Sequence, residues 1–154
     1  MKTTFDLVSE FLLEKFGAES MEKDGENQLS LAINERLILI HHFPDSEKLL
    51  MAGSIAPLPQ EGREKLLLRL MQGQYLFHKT SGMTLSVDPG GTFIALQACM
   101  DTRSFSTDDF FTVLNNFVHV AEFWEKECTD GGDTSTTVAG TDEQTIFPAQ
   151  WMRV

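Results

Sequence analysis

The stretch Arg36-Leu37-Ile38-Leu39-Ile40-His41-His42-Phe43 decides how the chain folds. Successive side chains of a strand point to opposite faces, so a half-buried strand alternates apolar with polar residues. This stretch does not alternate. Leu37, Leu39 and His41 face one way, and Ile38, Ile40 and His42 face the other. Both faces therefore need cover. The flanking segments behave alike: Leu29, Leu31 and Ile33 form an apolar row before it, and Leu49-Leu50-Met51 form a run after it. The spacing predicts a three-stranded meander over 29–55. What covers its second face is the functional question.

The elements outside the meander follow from capping, turn and periodicity signals. Thr3 or Thr4 can cap a first helix, Phe5, Val8, Phe11, Leu12 and Phe16 give it an apolar stripe, and Gly17 stops it. Asn34-Glu35 and Pro44-Asp45-Ser46 are turns between the strands. Pro57 and Pro59 are expected to end the third strand by Ile55. A second helix is expected from about residue 59 to 78, nearly all-round apolar through Leu66, Leu67, Leu68, Leu70, Met71, Tyr75, Leu76 and Phe77. Such a helix wants burial on every side, and a second copy of itself is the simplest cover. Gly73 either permits a close helix approach or has no role. Asp88-Pro89-Gly90-Gly91 turns between two strands, the second running over 92–100. Ser106 caps a third helix with Asp108 and Asp109 in its first turn. Helix, three strands, helix, two strands and helix make an α+β domain over 1–128. Residues 129–154 read as a flexible acidic tail with an apolar end, Ile146-Phe147-Pro148-Ala149-Gln150-Trp151-Met152.

Composition narrows the function. The 154 residues include 23 acidic ones and carry a net charge of -11. That charge repels phosphate backbones and anionic lipid, so neither nucleic acid nor membrane is an expected partner. The N-terminus is an amphipathic helix and not a secretion signal, and no apolar run approaches the roughly 20 residues that span a bilayer. A soluble, cytoplasmic protein is expected. The two cysteines, Cys99 and Cys128, read as free thiols, with Cys99 in the core. His41 and His42 are adjacent and cannot chelate together from a strand. No P-loop, GxSxG or CxxC occurs. No catalytic residue, metal or cofactor is expected, and the chain is not read as an enzyme.

Element order, acidity and one hairpin then carry a resemblance. The stretch Met83-Thr84-Leu85-Ser86-Val87-Asp88-Pro89-Gly90-Gly91-Thr92-Phe93-Ile94-Ala95-Leu96-Gln97 is similar to the apolar strand, turn and apolar strand of class I type III secretion chaperones of the Tir-chaperone and DspF/AvrF-like kind. Residues 101–110 resemble the acidic lead into that family's last helix. The resemblance spans about 1–128. It implies an α-β-β-β-α-β-β-α fold with an antiparallel sheet packed on helices, and a homodimer. It also implies a bacterial cytoplasmic chaperone that keeps the extended N-terminal segment of one or more secreted effectors soluble and ready for export, without a nucleotide. The residues placed on cargo are Phe5, Val8, Leu12, Leu29, Leu31, Leu37, Leu39 and Met51. Those placed on the dimer contact are Leu67, Leu70, Met71, Gln74, Phe93 and Ala95. The tail is not part of the family pattern. Contact with a secretion ATPase or export apparatus, and shielding of an empty cargo groove, are the two roles open for it. An adaptor of the same fold that binds a folded partner is the alternative function.

Overall fold

The computed structural model describes residues 1–130. The order is α1 (Thr4–Phe16), β1 (Met21–Lys23), β2 (Gln28–Ile33), β3 (Arg36–Phe43), β4 (Lys48–Pro57), α2 (Arg63–Gln74), β5 (Thr84–Val87), β6 (Phe93–Asp101) and α3 (Thr107–Thr129). Short 3-10 turns lie at Ala18–Ser20, Pro44–Ser46 and Tyr75–Phe77. The strands form one antiparallel sheet in the order β1-β2-β3-β4-β6-β5.

The local signals act where the sequence places them. Thr3 caps α1 in a reciprocal box with Asp6, and Gly17 ends it at φ 85°. The Ser106 hydroxyl accepts the Asp109 N–H at 3.0 Å to open α3. Ile33 pairs with Arg36 across a two-residue loop. Asn34 and Glu35 there have φ of 49° and 64°, the left-handed pair that matches the twist of a hairpin. The Asp88 carboxylate accepts the N–H groups of Phe93, Thr92 and Gly90 and closes the second hairpin. The Phe93 N–H is foremost in holding that carboxyl below its ordinary range.

One face of the sheet carries the core. Leu29, Leu31, Ile38, Ile40, Leu49, Met51, Ile94 and Leu96 are fully buried there. They pack with Phe5, Val8 and Leu12 of α1 and Phe110, Leu114 and Phe117 of α3. Phe11 of α1 meets Phe110 and Phe111 of α3 edge-on at 6.0 and 5.8 Å. Two ion pairs tie the far end of α3 down, Glu125 with Arg36 at the start of β3 and Glu127 with Arg69 of α2.

Four expectations need correction. β4 continues to Pro57, because a bulge between Ser54 and Ala56 resets the register and leaves the proline at the strand's last position. A short edge strand, β1, forms in the polar segment before the meander. α2 starts only at Arg63, after Gly62 in the left-handed region, and stops at Gln74. Cys99 is exposed, because it lies on the face of the sheet that no helix covers. The expected domain end at residue 128 falls in the last turn of α3, and tail residues 131–154 lie outside the described residues.

Candidate functional site

The strand register assigns the second face residue by residue. Residues directly opposite on neighbouring strands share a face. Gln28, His41, Leu50 and Cys99 form one row across β2, β3, β4 and β6. Ser30, Leu39, Ala52 and Gln97 form the next. Ala32 with Leu37 and Phe43 with Lys48 lie to either side. Leu37 is 65% exposed and Phe43 41%, while Leu39, His41, Leu50 and Ala52 are half-buried by their neighbours. The His41 ring stacks on Phe43 at 4.2 Å and 13°, and its Nδ1 meets Gln28 Oε1 at 3.0 Å. This is an apolar strip along β3 and β4 with no helix over it among the described residues.

His42 points the opposite way. It is buried at 6% exposure, and its Nδ1 has no hydrogen-bond partner among the described residues. Burial, and secondarily the neighbouring His41, pushes its pKa below the ordinary histidine value. The histidine pair is thus divided between core and open face, as alternation requires.

A second apolar surface lies on α2 and the 3-10 turn that follows it. Leu66, Leu70 and Gly73 face inward. Leu68, Met71, Tyr75, Leu76 and Phe77 are exposed, at 59, 70, 69, 59 and 47%. Leu76 and Phe77 adopt φ of 51° and 57°, a conformation that costs energy outside glycine. The strained turn presents both side chains to solvent. A Cβ on Gly73 would stand 2.2 Å from the Trp124 ring of α3. Close helix approach is therefore its role, and the approach is within the protomer.

The expected site residues separate accordingly. Of the cargo set, Leu37 and Leu39 lie on the open face. Phe5, Val8 and Leu12 of α1 and Leu29, Leu31 and Met51 of the sheet are 0–3% exposed and form the core between helix and sheet. Of the dimer set, Met71 and Phe93 are exposed, at 70 and 38%, and Leu67 is half-buried. Leu70 and Ala95 are buried. Gln74 serves the protomer's own sheet, since its amide donates to the Met83 carbonyl at 3.0 Å and accepts the Leu85 N–H at 2.7 Å. It stands in for a neighbouring strand along the outer edge of β5, where unpaired groups invite unwanted pairing. Phe43, His41, Leu50 and Ala52 also lie on this face and were not among the expected cargo residues. The alternation of β3 groups Leu37, Leu39, His41 and Phe43 on one face, but it does not say which face the helices take.

Among the described residues no group of three or more His, Cys, Asp or Glu is placed to hold a metal ion, and no helix is long and apolar enough to cross a membrane.

Solved structures share the fold. The ExsC-ExsE complex contains a chain with 20% identity and TM-score 0.66, covering 81% of this chain and 96% of the other. The HopA1-SchA chaperone-effector complex contains one with 14% identity and TM-score 0.57, covering 82% and 99%. The Yersinia pestis type III secretion chaperone SycH, in complex with a stable fragment of YscM2, gives 20% identity and TM-score 0.57, covering 79% and 98%. No match is found among curated proteins. Residues 7–125 match the Tir chaperone protein (CesT) family. That span runs from the first turns of α1 to the last of α3, so the chain belongs to the Tir chaperone protein (CesT) family.

Proposed function

We propose that the chain is a chaperone of a type III secretion system, working in the bacterial cytoplasm. It binds the extended N-terminal segment of an effector and keeps it soluble and export-ready. Family membership supports this, as do the partners of the structural relatives, which include an effector in the HopA1-SchA complex. The observation that carries the reading in this chain is the uncovered apolar strip on β3 and β4. An extended segment laid along it can put every second side chain onto Leu37, Leu39, His41 and Phe43.

Magnitudes set what the cargo must supply. Ordering a disordered segment costs about 2–5 kcal/mol. Fully covering one Leu or Phe is worth about 1.5–3 kcal/mol. One anchor is too few, and a row of several is enough. The exposed side of α2, with Leu68 and Met71, and Tyr75 just after it fit a second copy of the chain, which would give a homodimer with two cargo faces.

Co-expression with the proteins secreted by the same bacterium, then sizing of captured complexes by light scattering, tests this. The expected complex is two copies of the chain around one non-globular effector segment. Capture of a folded protein alone would favour the adaptor function instead.

A further inference from the structure

We propose that the segment Ile146-Phe147-Pro148-Ala149-Gln150-Trp151-Met152 is a built-in occupant of the open strip, seated on β3 when no cargo is bound. The inference rests on the cargo face assigned above and adds its regulation by the chain itself.

Three observations carry it. The first is where the tail begins. α3 ends at Thr129, about one turn beyond Glu125, whose carboxylate is paired with Arg36. A cleft of about 320 Å³, lined by the hairpin residues Asn34, Glu35, Arg36 and Leu37, by Ser54 and Ile55, and by Glu125 of α3, joins that end of the helix to Leu37, the first residue of the strip. The chain therefore leaves the domain at the threshold of the face. The second is length. Fifteen residues, 131–145, separate Asp130 from Ile146, a reach of at most about 50 Å. The eight residues of β3 span about 27 Å, so the segment can lie anywhere along the row. The third is chemistry. Ile146 to Met152 carries no charge in a chain of net charge -11, and the strip from Leu37 to Phe43 carries no carboxylate. The linker before it holds Asp133, Asp142 and Glu143, which favour solvent and leave the apolar end as the part that docks.

Tethering makes a weak contact sufficient. A short flexible linker gives an effective concentration in the millimolar range. A segment with an intrinsic Kd of about 0.1–1 mM then lowers apparent cargo affinity about two- to tenfold. A secreted segment with several anchors displaces it.

The two tryptophans supply the test. Trp124 is 2% exposed, so acrylamide quenching of the full chain, compared with that of Trp151→Phe, isolates Trp151. The expected result is a shielded, blue-shifted Trp151 that becomes freely quenched in Leu37→Ser and on addition of an effector segment. Phe147→Ser should raise affinity for that segment about two- to tenfold. A Trp151 quenched as freely as tryptophan in water, whatever stands at position 37, overturns the proposal. Shielding that is lost on dilution also overturns it, since the segment would then sit on a second copy. If Leu37→Ser abolishes effector binding and leaves Trp151 unchanged, the cargo reading stands and this inference fails. If Trp151 is shielded through Leu37 and no effector segment binds, this inference stands and the cargo reading fails.

Discussion

At Gly73 two helices touch with no room for a methyl group, since a Cβ would lie 2.2 Å from Trp124. Trp124 cannot retreat easily, being 2% exposed and bonded through Nε1 to the Lys79 carbonyl at 3.0 Å. Gly73→Ala gains up to about 1 kcal/mol of helix propensity, but overpacking costs about 1–3 kcal/mol. Net destabilisation is expected, read as a lower urea midpoint at unchanged slope. His42 supplies a pH effect. Its folded pKa lies below the ordinary value of 6.5, so the unfolded chain takes up a proton first as pH falls. Its contribution is complete above pH 6.5 and is lost as pH drops from there through the folded value. His42→Leu should flatten the acid limb of stability against pH relative to the parent, and should be near neutral at pH 8 because it also removes an unpartnered buried nitrogen. An identical acid limb in both proteins would contradict this.

Among the elements, α2 differs most from its reading in the sequence, and the reason is specific. Leu66, Leu67, Leu68, Leu70 and Met71 in one short run hide which side meets the core. The packing of Gly73 on Trp124 and the bonds from Gln74 to β5 decide it. A charge at Leu70 would enter the protomer's own core, where it is 4% exposed. Met71, at 70% exposed, is the informative position. Met71→Asp should leave a folded protein and, if α2 forms the proposed homodimer contact, give a monomer by light scattering where the parent chain gives a dimer. Gln74→Ala should leave the Met83 carbonyl and Leu85 N–H without a protein partner, lower stability by about 1–3 kcal/mol, and speed hydrogen exchange at Leu85. For β3 the sequence was more informative. Its alternation separated Ile38, Ile40 and His42, which are buried, from Leu37, Leu39 and His41, which lie on the open face. Helix assignment to one face was not legible, because α1 and α3 reach the sheet from distant parts of the chain. For that reason six of eight expected cargo residues lie in the core.

At the scale of the molecule, the three helices of the described residues take one side of a six-stranded sheet and leave the other side without a helix over it. An apolar strip of this kind favours association, which the net charge of -11 opposes. Leu37 is the most exposed residue of the strip, at 65%. Surface substitutions of this kind shift stability by about 0.5 kcal/mol or less, so Leu37→Asp should fold. Beneath a cargo segment the same carboxylate would be buried without a partner, at a cost of several kcal/mol. The most direct measurement is calorimetric titration of a captured N-terminal effector segment into the parent chain and into Leu37→Asp, with circular dichroism confirming that both are folded. A loss of affinity of at least about tenfold, or 1.4 kcal/mol, is the predicted result. Equal affinity in two folded proteins would show that cargo passes elsewhere and would contradict the account.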